Sequence, residues 1–297
     1  AAATYLGCWE EEGLEVSWTP VHGGVAAIQA VLDDIVDVSY GGLGPVLKFR
    51  CDGNPVRIVV SMARGLAQNL VTQSRISALD KLHGVSWALD GFGALSHHMA
   101  RLVVKALNIN EAEIDWQAVG PPPERIERLL ADTIDVSLIR VEEAVALTAD
   151  DSNDLQTLLG FAELKNLVPL QPHGVLATTE AYELSHQEEL LRLTRGMIRA
   201  SRALHDKYHN FRKVYDHHVS ISAPEEAIHK IWQQERDTWG FAVNGELTNT
   251  HWNSQLASFY ELNPNLPSIT RNEVIAENFV PDALSVLGVR EGADEPD

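Results

Sequence analysis

A chain of 297 residues, 45% hydrophobic and 22% charged, has the make-up of a soluble globular protein with room for two domains of ordinary size. Its net charge of −19 repels nucleic acid and anionic membranes over most of the surface, which excludes nucleic acid as a partner. No apolar run approaches the roughly 18 residues of a membrane-spanning helix, and the opening AAATYLGCWEEEG is not a basic-then-apolar signal peptide.

In chain order, residues 1–12 read as a helix stopped by Gly13, and residues 14–18 alternate apolar and polar as a strand. His22-Gly23-Gly24 precedes an amphipathic helix through Ala26, Ile28, Val31 and Leu32. A strand follows over 36–40, and Gly41-Gly42 opens the next helix. Strands are predicted over 56–61 and 70–72, then over 85–89, 114–119, 136–139, 155–161 and 175–179, with helices over 94–107, 123–131 and 141–148 between them. This alternation predicts a parallel sheet flanked by helices. After Glu180 only helices are expected, over 187–209, 211–217, 225–239 and 253–261. The acidic tail 291–297 lacks the apolar residues to pack.

One unit occurs twice: an amphipathic helix, an Asp, then a short strand, as AIQAVLDDIVDVSY from Ala27 and RIERLLADTIDVSL from Arg125. Two lobes of like design are implied. The stretch 76–107, ISALDKLHGVSWALDGFGALSHHMARLVVKAL, shows the grammar best: a helical turn, a strand, the turn Asp90-Gly91-Phe92-Gly93, then a long helix from Ala94. A helix opened by such a turn leaves backbone N–H groups and the positive end of its dipole facing outward, which suits an anion. The plainer reading of Gly91 and Gly93 is a tight turn alone. DGFG matches neither the dinucleotide fingerprint nor the phosphate-binding loop, so no nucleotide cofactor is expected.

Cys8 and Cys51 supply neither a disulfide framework nor a CxxC site and read as two half-buried thiols. His97-His98 and His217-His218 are adjacent rather than four apart, so neither pair presents two rings on one helix face, and no metal site is expected. No Gly-x-Ser-x-Gly turn occurs.

The phrases YLGCWEEEGLEV, AVLDDIVDVSYGG, DGNPVRIVV, LVTQSRISALDKLHGVSWAL and RIERLLADTIDVSLIRVEEA, in this order and over about residues 5–145, resemble the substrate-binding proteins of nitrate/sulfonate/taurine-type ABC importers. The resemblance implies an α/β, two-lobed type II periplasmic-binding fold with ligand held in the cleft between lobes and a helical C-terminal third packed on lobe one. Lobe one is expected over 1–73 plus 173–297 and lobe two over 74–172. Family members carry a strand before the helix that here begins at Ala1, so the resemblance implies that a strand is missing from this chain.

Carried over to this sequence, the family's ligand-binding loops fall at His22 and Gly23, at Tyr40, Gly41 and Gly42, at Asp90, Gly91, Phe92, Gly93 and Ala94, and at Arg140 and Glu142. All follow predicted strands, where open α/β sheets bind ligands. Tyr40 is read either as a ring stacking on ligand or as an ordinary strand-end aromatic, and Phe92 likewise. Arg140 either grips an anion in bidentate fashion or pairs with Glu142 or Glu143. The resemblance implies a monomer that binds a small, partly anionic solute outside the cytoplasm and delivers it to the membrane subunits of an importer. It needs no cofactor and no catalytic residue. The alternative is a cytoplasmic enzyme on the same scaffold, a desulfinase, decarboxylase or pyrimidine-synthase relative, with His22 as the one base to watch.

Overall fold

A computed structural model describes residues 2–21, 23–63, 67–150, 152–168, 173–219, 223–237, 240–245 and 247–291. The chain divides into two compact units. The first comprises Ala1–Leu66, Gln171–His218 and Trp232–Asp297, the second Ala67–Leu170 and Val219–Ile231.

Unit 1 opens with two single-turn helices, α1 (Ala2–Tyr5) and α2 (Cys8–Glu11), where the sequence predicted one. Gly7 at φ 73 separates them, because a left-handed residue cannot continue a helix. Helix α3 (Gly23–Leu32) leads to strand β1 (Ser39–Gly42), helix α4 (Leu43–Cys51) and strand β2 (Val56–Ala63). The predicted strand over 14–18 does not form. Leu14 N–H still donates to the Trp9 carbonyl at 2.9 Å, and among the described residues no backbone hydrogen bond ties 15–21 to a neighbouring strand.

Unit 2 begins with strand β3 (Gln68–Gln73), so the passage between units falls before this strand rather than after it. A 3-10 turn precedes strand β4 (Ser86–Leu89), then helix α5 (Leu95–Ala106), strand β5 (Asp115–Ala118) and helix α6 (Pro122–Leu130). Strand β6 (Val136–Arg140), helix α7 (Val141–Thr148), strand β7 (Leu155–Leu159) and helix α8 (Phe161–Leu167) follow. Back in unit 1, strand β8 (His173–Thr179) and helix α9 (Glu180–Ser185) lead into the long α10 (Gln187–Asp206) and α11 (Tyr208–His218). Helix α12 (Glu225–Asp237) follows, its residues up to Ile231 belonging to unit 2 and those from Trp232 to unit 1, and the chain closes in unit 1 with α13 (Asn249–Leu262), α14 (Arg271–Val274) and α15 (Phe279–Leu287). No strand is present after Thr179 among the described residues.

The sheets are not uniformly parallel, as the alternation of elements had suggested. Sheet one has the order β1-β8-β2, with both pairings antiparallel. Sheet two has the order β5-β4-β6-β3-β7, parallel for β4 with β5 and β6 and antiparallel where β3 meets β6 and β7. Each crossover of the repeated unit, β1-α4-β2 and β6-α7-β7, still delivers parallel strands as helical crossovers do. An antiparallel strand, β8 or β3, has been laid between them.

The repeat seen in the sequence is a repeat of geometry. Asp34 and Asp132 both adopt the left-handed region, at φ 55 and 51. Ile35 N–H returns to the Ala30 carbonyl at 2.9 Å, and Thr133 N–H returns to the Arg128 carbonyl at 3.0 Å. Asp tolerates this conformation better than most side chains, so it ends the helix where glycine otherwise would.

Sheet one buries alternate residues against opposite helix layers, as a central strand must. Val175 and Ala177 of β8 join Leu43, Val46, Trp252 and Phe259 on one face. Leu176 joins Trp9, Met62 and Met197 on the other. In unit 2, Val71, Ala88 and Ile139 pack under Ile126, Leu129 and Leu147.

Candidate functional site

In unit 1 the predicted loops gather at the starts of two helices. Gly23, at φ 83, opens α3. A Cβ on Gly24 would stand 2.8 Å from Pro45 Cγ, and one on Gly41 would stand 3.8 Å from the Gly24 Cα. The first turns of α3 and α4 therefore touch, and glycine at 24 is the condition for it. Gly42 is the N-cap of α4 in extended conformation with no side-chain cap, which leaves the first-turn N–H groups of Leu43 and Gly44 as donors beside it. Pro45 has none to offer.

Tyr40 stands next to this junction, 44% exposed. A Cβ on Gly174 would lie 2.6 Å from its hydroxyl oxygen, so the ring lies across β8 where that strand carries no side chain. Gly174 also has φ 71, which makes glycine doubly required. Sequence reading missed Gly174 because its role is read only across the sheet. His22 lies outside the described residues.

In unit 2 the turn after β4 is more tightly bound to itself than its sequence suggested. Asp90 donates its N–H to Ser96 Oγ at 2.9 Å and sets its carboxylate 3.1 Å from Arg125 Nη2. Arg125 is 2% exposed and donates from Nη1 to Ser137 Oγ at 3.2 Å and to the Leu138 carbonyl at 2.8 Å. Burial pulls its pKa down, and Asp90 and Glu143 oppose that pull. Asp90 thus serves as the counter-charge of a buried arginine.

Gly93 N–H donates to His97 Nδ1 at 3.0 Å and Ala94 N–H to the Gly91 carbonyl at 3.2 Å. The two backbone donors expected to face an anion are engaged inside the turn. Helix α5 carries no side-chain cap at Ala94, so Leu95 and Ser96 supply the first-turn N–H groups instead. His97 has its pKa lowered by burial first and by Arg101 second. With Nδ1 accepting from Gly93, the neutral ring carries its proton on Nε2.

Phe92, 62% exposed, sits edge-on to His97 with ring centroids 5.4 Å apart, and His97 sits edge-on to Trp116 at 5.6 Å. Arg140, at the end of β6, places Nη2 2.8 Å from Glu143 Oε1, which realises the ion-pair reading of that residue. Burial raises the pKa of neighbouring Glu142, while Arg140 opposes it. Among the described residues no group of three His, Cys, Asp or Glu is placed to hold a metal ion, and no helix is long and apolar enough to cross a membrane.

No family model and no curated protein matches the chain. Its likeness to solved structures is extensive. The alkanesulfonate-binding protein SsuA from Xanthomonas axonopodis pv. citri, bound to MOPS, superposes with a TM-score of 0.70 at 16% identity, over 95% of this chain and 94% of that one. The periplasmic nitrate-binding protein NrtA from Synechocystis PCC 6803 superposes at 0.76 and 12% identity, over 99% of this chain and 87% of that one. A DszB variant in complex with biphenyl-2-sulfinic acid superposes at 0.61 and 13% identity, over 96% and 95%. The chain therefore has the α/β fold of the periplasmic substrate-binding proteins of ABC importers.

Proposed function

We propose that the chain binds a small, at least partly anionic organic solute, a sulfonate or carboxylate, and hands it to the membrane subunits of an ABC importer. The observation that carries this reading is the uncapped start of α4 beside Tyr40: two backbone donors at the positive end of a helix dipole, next to a half-exposed ring with a hydroxyl. The start of α5 beside exposed Phe92 repeats the combination in unit 2. Backbone donors of this kind hold an anion without a formal positive charge, which fits a protein whose surface is strongly negative.

The thiols speak against covalent chemistry. Burial, with Glu11 next, pushes the Cys8 thiol up to about 11, and burial raises that of Cys51, so neither is a thiolate near neutrality. Export from the cytoplasm belongs to the same proposal, since an importer collects its solute outside.

A thermal-shift screen of sulfonates, carboxylates, nitrate, phosphorylated pyrimidines and neutral sugars tests the reading. Stabilisation by organic anions is the expected outcome, at about 2.7 kcal/mol when the solute is 100-fold above its Kd. Stabilisation by cations or neutral sugars alone would sink it.

A further inference from the structure

The turn that opens α5 in unit 2 is shut by a side chain outside the loops that the sequence assigned to ligand. Asp90 N–H donates to Ser96 Oγ at 2.9 Å, Ala94 N–H to the Gly91 carbonyl at 3.2 Å and Gly93 N–H to His97 Nδ1 at 3.0 Å. A hydroxyl and a carbonyl accept at any pH. An imidazole accepts only while it is neutral, since both nitrogens of the imidazolium are donors. Gly93 is exposed, so an N–H that the ring lets go is open to solvent and to solute.

Phe92 of the turn and Trp116 of β5 meet this ring with their own rings, which bring no charge to it. The charged groups that face it are Arg101, one turn further along α5, and Glu111 in the 3-10 turn Glu111–Glu113 ahead of β5. These two are bonded to each other, Arg101 Nε donating to Glu111 Oε1 at 2.6 Å, so the carboxylate is already committed. His97 is the third residue of α5, where the helix dipole opposes a cation. Burial and Arg101 act in the same direction and lower the ring's pKa. The ligand-free protein therefore keeps its ring neutral, and its Gly93 donor engaged, at neutral pH.

We propose that His97 is the positioning residue of this turn: as a neutral ring it withholds the Gly93 N–H, and as a cation it releases that donor and adds a positive charge, so that the start of α5 holds an anion more tightly in mild acid than at neutral pH. The proposal rests on the reading of α5 as an anion-binding helix start. A bound anion favours the protonated ring, so the anion and the proton enter together. The ring's pKa is then higher in the complex than in the free protein. Affinity climbs as the pH falls from the upper of these two values to the lower, and it is level on either side of them.

The test has a ligand-free arm and a ligand arm. In the first, nitrogen NMR of the His97 ring reports its protonation between about pH 8 and 5, the range in which histidine titrates. Exchange of the Gly93 amide is followed over the same range as a protection factor, which removes the intrinsic pH dependence. His97→Asn puts an amide oxygen near the place of Nδ1 and does not titrate, and His97→Phe keeps a ring but offers no acceptor. In the second arm, thermal shifts with methanesulfonate and benzenesulfonate, which stay ionised throughout, are recorded at both ends of the range against chloride at equal ionic strength.

The expected result is that Gly93 loses protection in step with protonation of the His97 ring, keeps it at every pH in His97→Asn and lacks it at every pH in His97→Phe. Sulfonate affinity should rise about tenfold or more toward acid in the natural chain, the effect of one opposite charge on a neighbouring titration, and should stay level in both variants. If the ring stays neutral throughout, or titrates while Gly93 protection does not move, the positioning role is overturned and the anion reading of α5 is left standing. If Gly93 is released but neither sulfonate stabilises the protein at either pH, the anion reading falls and takes the ligand half of the proposal with it. Equal sulfonate affinity at both ends of the range, with Gly93 released in acid, overturns the coupling between the two.

Discussion

Removing the carboxylate of Asp90 should destabilise unit 2 more than removing the guanidinium it faces. The side chain of Arg125 is 3% exposed and that of Asp90 26%, so the two ends of the pair differ in their access to water. In Asp90→Ala the cation keeps its hydrogen bonds to Ser137 and Leu138 but loses its nearest counter-charge, and leaving a buried charge uncompensated costs about 3–5 kcal/mol. In Arg125→Met the aspartate turns to solvent, Ser137 Oγ keeps its bond to the Ala88 carbonyl at 3.2 Å, and about 1–2 kcal/mol is lost. The double variant should resemble Arg125→Met. With a urea slope of about 1–3 kcal/mol per molar, the single variants should differ by roughly 1 M in midpoint. Amide exchange in β4 and β6 confines the measurement to unit 2. An Arg125→Met variant as damaged as Asp90→Ala would refute the reasoning.

Three further outcomes are expected. Gly196→Ala adds a good helix former inside α10, worth about 1 kcal/mol by propensity. Its Cβ would stand 2.7 Å from the Trp9 ring, and overpacking of about 1–3 kcal/mol should win, read as a lowered Tm. Cys8, with its thiol raised from 9.0 to about 11, should resist thiol reagents at pH 8 in the native state. Because its folded pKa lies above the unfolded one, its contribution to stability is complete below pH 9 and lost as pH rises toward 11; a Cys8→Ala variant should lack that part of the alkaline loss, and rapid native labelling at pH 8 would contradict the assignment. Gly174→Ala forces a non-glycine residue to φ 71 and displaces Tyr40. It should cost about 1–2 kcal/mol and reduce the thermal shift given by a bound anion, whereas Tyr40→Phe should leave the fold intact and reduce the shift less.

What could be read from the sequence was local. The helix-Asp-strand repeat was legible because a short hydrophobic period followed by an aspartate encodes its own turn, and the left-handed Asp34 and Asp132 carry it in both units. Strand direction was not legible. Nothing in VSLIR or in HGVLATT says which neighbour it will meet, so the antiparallel β3 and β8 were hidden inside an apparently parallel alternation. Segment 14–18 was misread for the same reason, since alternation shows two faces and a ladder requires a partner. Arg125 looked like an ordinary polar residue in ERIERLL, and its burial is imposed by the turn that closes over it from β4. The loop glycines could be placed after their strands by position, but the engagement of Gly93 and Ala94 within their own turn depends on His97 and Gly91 and is a matter of geometry alone.

Strand β8 is the keystone of its sheet. It touches β1 and β2, which do not pair with each other, and it is synthesised after every strand of the other unit. As the chain leaves the ribosome, β1 and β2 wait as two separate edges while strands β3 to β7 can already assemble into one contiguous sheet. Pairing across so long a separation is slow, so the order of maturation should invert the order of synthesis, with the middle of the chain settling before its beginning. Strand β1, at four residues, is short enough to limit what that waiting edge can recruit.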